Sequence, residues 1–154
     1  MIRSAQEKDM ARVSDIWLNT NLEAHDFIPG QYWRGNFETV KGLLAQAEVY
    51  VYEDEYGIQG FAGLNGDYIE GIFVWSGAQS RGIGGRLIRF LKDRKRMLRL
   101  NVYRKNVRAV KFYQRENFKI CGEGIDENTG EAEYTMQWGI NMAQKTCKSG
   151  KTVI

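Results

Sequence analysis

Residues Gln79-Ser80-Arg81-Gly82-Ile83-Gly84-Gly85-Arg86 place three glycines within four positions and lead straight into Leu87, Ile88 and Leu91, apolar residues at helical spacing. A glycine-rich turn ahead of a helix leaves orphan amides pointing outward, and the helix dipole there favours an anion. Arg86, Arg89 and Lys92 follow, so backbone N–H groups and positive charge converge on one place that suits a phosphate.

Charge is distributed to match. Over residues 79–119 fourteen Lys/Arg stand against two acids, Asp93 and Glu116, while the rest of the chain has eight Lys/Arg against seventeen acids. The net +3 therefore conceals a basic half on an acidic frame, and nucleic acid or a multiply phosphorylated cofactor would suit the basic half. At 154 residues the chain is about one domain long and can bury roughly two thirds of its unfolded surface. No apolar run approaches the roughly 20 residues of a membrane span, and no signal peptide precedes Met1, so a soluble protein is expected. Cys121 and Cys147 have neither metal-ligand spacing nor the density of a secreted scaffold, which favours reduced thiols and a cytoplasmic location, with no metal and no cysteine nucleophile.

Residues 2–5 read as a short strand, and Met10, Val13, Ile16 and Trp17 give residues 7–18 one helical face. Ser4 with Glu7, or Gln6 ahead of Glu7, can open that helix. Residues 19–31 lose the period and hold the only histidine and the only proline, a polar loop suited to substrate contacts. Residues 32–46 resume as a second helix. From Glu48 the period falls to 2, and residues 49–52, 58–64 and, past the Asn65-Gly66 hairpin signal, 67–74 form an antiparallel meander. Leu98, Leu100 and Val102 alternate as a strand reached by a helical crossover, which predicts parallel pairing. Asn106 can cap the next helix, Asn117 falls where a left-handed residue would end it, and residues 118–125 and 131–138 make a last hairpin. Residues 139–154 are polar and unpatterned, and a mobile tail is expected beyond a domain of residues 1–138. There is no internal repeat and no linker.

The turn has rivals among phosphate cradles. A Walker A loop would need Lys-Ser or Lys-Thr where Arg86-Leu87 stands, and a dinucleotide fingerprint would need glycine in place of Leu87, with an early parallel unit where this chain has hairpins. A tight turn with no ligand is the plain structural alternative.

Together the motifs resemble the GNAT superfamily of N-acetyltransferases, in its small, single-domain, bacterial form. Gln79-Ser80-Arg81-Gly82-Ile83-Gly84 fits the family's Q/R-x-x-G-x-G/A, and Asn106 to Tyr113 fits its N-x-x-A-x-x-F-Y. Phe112 to Phe118 matches F-Y-x-x-x-G-F with Asn117 in place of glycine, a mild departure because asparagine also tolerates the left-handed region. The resemblance covers residues 2–138. It implies an α/β (α+β) fold: a mixed, mostly antiparallel central sheet, a splayed parallel pair in its middle and helices on both faces. It also implies acetyl-CoA as the acetyl donor, with Gln79, Arg81, Gly82, Ile83, Gly84, Gly85 and Arg86 around the pyrophosphate and Asn106, Ala109 and Phe112 on the facing helix. Pantetheine would pair with backbone near Ile72, Phe73 and Val74.

By the same resemblance a backbone N–H near Phe73 or Val74 polarises the carbonyl, and Tyr113 is the general acid for the departing thiolate. A phenol with a pKa of about 10 is a weak acid toward a thiol near 8.5, so Tyr113 must act through position and coupling. An alkylamine near pKa 10.4 is protonated at neutral pH and must lose a proton before it attacks. The family's strand glutamate matches Tyr68, with Glu70 one pleat along; His25 has the most suitable intrinsic pKa. His25, Glu70 and a water relay stand as alternatives for the base, and Glu23, His25, Asp26 and Tyr68 as acceptor-binding residues. The expected reaction is acetyl transfer to a primary amine: a protein lysine or N-terminus, a polyamine or another small amine. A non-catalytic acyl-CoA sensor on the same fold is the alternative, nucleic acid is not the expected partner, and both monomer and homodimer fit the sequence.

Overall fold

In a computed structural model, residues 1–139 are described; apart from Gly139, the expected tail lies outside the described residues. The period-2 segments become β1 (Ile2–Ser4), β2 (Glu48–Asp54), β3 (Gly57–Asn65), β4 (Tyr68–Val74), β5 (Met97–Tyr103), β6 (Lys119–Ile125) and β7 (Ala132–Gly139). They form one sheet in the order β1-β2-β3-β4-β5-β7-β6, antiparallel except for β4 and β5. Helices α1 (Met10–Ala24), α2 (Gly30–Gly35) and α3 (Phe37–Gln46) cover one face, while α4 (Ile83–Lys92) and α5 (Val107–Arg115) cover the other. Two cores result. Trp17, Ile16, Val40, Leu44 and Phe61 close the first; Leu87, Ile88, Leu91, Leu98, Leu100 and Phe118 close the second. The mixed sheet with its parallel central pair is the one expected.

A β-bulge decides where the sheet opens. Gly63 pairs with Gly71 but Leu64 pairs with Ile69, which leaves Glu70 as an extra residue in β4. The bulge shifts the alternation, so Ile69, Ile72 and Val74 all pack toward the α4–α5 core while Phe73 stacks on Phe61 across the sheet. Beside it the parallel pairing is confined to Tyr68↔Arg99 and Ile69↔Leu100. From Glu70 onward β4 diverges from β5.

Two helices differ from expectation. Helix α1 runs to Ala24 instead of ending at residue 18, because Thr20 Oγ1 and Asn21 Nδ2 donate to the carbonyls of Ile16 and Trp17 (2.6 and 2.9 Å) and polar residues thereby stay in the helix. The expected second helix is two, broken at Asn36, whose Nδ2 donates to the Tyr32 carbonyl (2.7 Å). Asn117 takes the left-handed conformation its position required (φ 69°).

The start of α1 rests on Asp9. Its carboxylate accepts from Arg3 Nη1 and Nη2 (2.8 and 3.2 Å) and from the Gln6 N–H (2.8 Å). The Arg3 hydrogen bonds hold its pKa below the ordinary value, with burial opposing them. A depressed carboxylate stabilises the fold above the unfolded pKa of about 3.9, and that contribution is lost as pH falls through the lower folded value. Asp9→Asn is therefore expected to lower Tm by several degrees at neutral pH and to flatten the loss of stability below pH ~4, both readable by thermal melts across pH.

Candidate active site

Where β4 leaves β5, a cleft of about 930 Å³ opens between the end of β4, the N terminus of α4, the first turns of α5 and the C-terminal end of α1. The Trp75 N–H donates to the Gln59 carbonyl on β3 (2.8 Å), and alternation along β4 then turns the Phe73 N–H toward β3 and the backbone of Ile72 and Val74 toward the gap. This corrects the expectation for Phe73. Phe73 borders the cleft, but its amide belongs to the sheet, and Val74 is the residue whose N–H can meet a carbonyl.

The glycine turn forms the floor. Ser80 and Gly82 both have positive φ (66° and 79°), so the chain doubles back around Arg81 before α4 begins. No side chain caps α4, which leaves its first amides facing the cleft. Gly82 has open space where a Cβ would lie. Gly84 answers to packing instead: an added Cβ would come within 3.3 Å of the Phe112 ring, so glycine lets α5 approach α4. At Gly85 the Cβ would lie 2.6 Å from the Arg89 guanidinium, which folds back onto the Gly85 carbonyl (3.0 Å). Gln79 ties the loop together, donating to the Val74 carbonyl and accepting from Arg108 Nη1, each at 3.0 Å.

On the facing wall, the Asn106 side chain caps α5 by accepting from the Ala109 N–H (3.2 Å), and Ala109, Phe112 and Tyr113 line the cleft behind it. Tyr113 is buried, packed edge-on against Phe112 and Phe118. Burial pushes its pKa well above that of a free phenol, and the nearby Ile72 backbone N–H opposes the shift.

Of the expected acceptor residues, Glu23, His25 and Asp26 reach the cleft at the end of α1. Tyr68 does not. It is buried under the point of divergence, its hydroxyl donating to Asn101 Oδ1 on β5 (3.0 Å). Glu70, half-buried at the bulge, lies on the α1–α3 face, its Cβ on the same side as Leu44. Both ring nitrogens of His25 are engaged, by Asn21 (2.9 Å) and Asn106 (3.0 Å). Two arginines depart from expectation: Arg81 is exposed at the turn's tip, and Arg86 points away from the turn to the Tyr52 hydroxyl (3.0 Å), because one helical step past the cradle leads to the other side of α4. The cations that do line the cleft are Arg89, Lys105, Arg108 and Arg115. Arg89 stood out in the sequence beside the turn, whereas Lys105, Arg108 and Arg115 had only the basic excess over residues 79–119, which does not say which side chains turn inward. Among the described residues, no three His, Cys, Asp or Glu side chains group as metal ligands, and no helix is long and apolar enough to cross a membrane.

A cradle of uncapped helix amides beside a cationic wall, an unpaired strand edge and a buried tyrosine together define a site for a phosphorylated acyl carrier. Residues 45–120 match the family model of the GNAT acetyltransferase domain. The chain is 32% identical over 142 residues to the peptidyl-lysine N-acetyltransferase YiaC of Escherichia coli K12, covering 91% of this chain and 97% of that protein. It is 27% identical over 131 residues to the peptidyl-lysine N-acetyltransferase YjaB of Salmonella typhimurium LT2, covering 84% and 90%. In three dimensions it resembles the apo form of YjaB from Escherichia coli (TM-score 0.81, 24% identity, 91% and 98% covered). It also resembles YncA from Salmonella typhimurium, solved with its cofactor acetyl-CoA (TM-score 0.67, 17% identity, 92% and 94% covered). The chain belongs to the GNAT acetyltransferase family. It is an acetyl-CoA-dependent N-acetyltransferase that acts on an amine.

Proposed function

We propose that this enzyme acetylates the ε-amine of lysine side chains in proteins or peptides, with Tyr113 as general acid and Glu70 as the base. The observation that carries the mechanism is the buried Tyr113 hydroxyl beside the Ile72 amide, inside the cleft that the glycine turn and α5 share. The names of the relatives YiaC and YjaB support lysine as acceptor, and Glu23 and Asp26 offer a cationic side chain a favourable rim. A cytoplasmic enzyme is the reading this donor supports.

Acetyl-CoA, when bound, supplies an acetyl group activated as a thioester. The amides of Gly82, Ile83, Gly84 and Gly85 and the cations Arg89, Arg108 and Lys105 would hold its phosphates. The Val74 N–H would polarise the acetyl carbonyl. Lysine approaches from the α1–α3 face, where Glu70 stands beside the last β4–β5 pair and takes one proton from the ammonium, directly or through water. The neutral amine then forms the C–N bond as the C–S bond breaks. Tyr113, kept protonated by burial, gives its hydrogen bond and then its proton to the leaving sulfur, and regains a proton from the acylated nitrogen.

Glu70→Gln is expected to lower kcat/KM at neutral pH by roughly tenfold or more. The deficit should shrink as pH approaches the amine's own pKa of about 10.4, where the substrate deprotonates without help. Thiol-release rates on a lysine peptide across pH check this, with free polyamines and N-terminal amines as competing acceptors. A variant whose profile overlays that of the wild type would move the base elsewhere.

A further inference from the structure

The single histidine stands at the C-terminal end of α1, its ring stacked on Trp33 (5.4 Å between centroids) and edge-on to Phe27 and Tyr103. Nδ1 lies 2.9 Å from Asn21 Oδ1, and Nε2 lies 3.0 Å from Asn106 Nδ2. The backbone settles which way each amide faces. Asn21 Nδ2 donates to the Trp17 carbonyl (2.9 Å), a group that only accepts, so Oδ1 is the Asn21 atom turned to the ring. Asn106 Oδ1 accepts from the Ala109 N–H (3.2 Å), a group that only donates, so Nδ2 is the Asn106 atom turned to the ring. An imidazole between an acceptor at Nδ1 and a donor at Nε2 carries its hydrogen on Nδ1 and a lone pair on Nε2. A second proton would set two donors 3.0 Å apart.

We infer that His25 is a positioning residue, a neutral Nδ1-protonated imidazole that clasps the end of α1 to the N-cap of α5. The chain of bonds runs from the Trp17 carbonyl through Asn21, His25 and Asn106 to the Ala109 amide. It fixes the first turn of the helix that presents Tyr113 to the cleft. The lone pair a base would need is the one that accepts from Asn106, so His25 acts through Asn106 and does not abstract the substrate's proton. This rests on Tyr113 as the acid and is independent of which amine is the acceptor.

Three variants separate the roles, because a glutamine carbonyl reaches the place of Nε2 while an asparagine amide reaches only that of Nδ1. His25→Gln, able to accept from Asn106 but with no basic group, is expected to keep kcat within about threefold, whereas His25→Asn and His25→Ala lose roughly tenfold, the weight of one hydrogen bond. Loss in His25→Gln equal to that in His25→Ala would overturn the inference in favour of a base. Equal falls in Tm for all three with kcat unchanged would overturn it in favour of fold maintenance alone. Independently of turnover, ¹⁵N NMR of the wild-type ring, with and without acetyl-CoA, should show Nδ1 protonated and Nε2 bare near neutral pH. The opposite tautomer or an imidazolium would overturn the inference even if no acceptor peptide were found.

Discussion

Tyr113→Phe is expected to lower kcat by more than roughly tenfold while leaving acetyl-CoA affinity within about threefold. The phenylalanine ring keeps the edge-on contacts to Phe112 and Phe118, at 5.1 and 5.5 Å, so the α5 wall of the cleft retains its shape. What disappears is the hydroxyl between the Ile72 amide and the ligand space. Without it the leaving sulfur departs as an unassisted thiolate, and the loss falls on the transition state more than on binding. Because burial raises the Tyr113 pKa, its hydroxyl stays protonated throughout the working range, and no pH limb of the wild-type profile should vanish in the variant. Thiol release gives kcat and calorimetric titration gives affinity. An unchanged kcat would remove Tyr113 from the mechanism; a collapse of affinity would make it a binding residue.

Gly82→Val is expected to reduce acetyl-CoA affinity by roughly a hundredfold or more, the weight of losing two charge-assisted amide contacts. Gly82 is the N-cap of α4 and sits at φ 79°, a conformation that a β-branched residue resists. Space is not the obstacle, since nothing lies within 4 Å of an added Cβ. The strain would re-aim the first amides of α4, which no side chain caps. Gly84→Ala is the instructive contrast: its Cβ meets the edge of Phe112 at 3.3 Å, so a small shift of that ring should accommodate it with a modest loss. Titration of both proteins with acetyl-CoA, with melts to confirm folding, checks the pair. Wild-type affinity in Gly82→Val would undo the assignment of the turn to phosphate.

The legible parts of the fold were those with local physical causes. A glycine that must take positive φ, an asparagine that must cap a helix, and a hairpin at Asn65-Gly66 each carry their reason within a few residues, and Gly82, Asn106 and Asn117 all do what their positions required. Misreadings arose where a distant partner decides. Thr20 and Asn21 look like loop residues until their hydrogen bonds back to α1 are seen. Arg86 and Arg89 are equal in composition, yet Arg86 leaves for Tyr52 while Arg89 folds into the cleft. Gly84 and Gly85 read as members of the pyrophosphate cradle, and the structure shows that the space their side chains would take belongs to Phe112 and Arg89.

By itself the sequence determined the donor half of this enzyme: a strand, a glycine turn and a helix N terminus, then a second helix opened by Asn106 and carrying Tyr113. These depend on backbone conformation and helical phase, which neighbouring residues control. Only the tertiary structure decided how the rest of the cleft is arranged. The bulge at Glu70 parts β4 from β5, the alternation it shifts turns the Val74 amide to the gap and Tyr68 away from it, and two asparagines from different helices hold His25 between them. Those relations join residues far apart in the chain through strand register and side-chain hydrogen bonds, and neither leaves a periodic trace in the sequence.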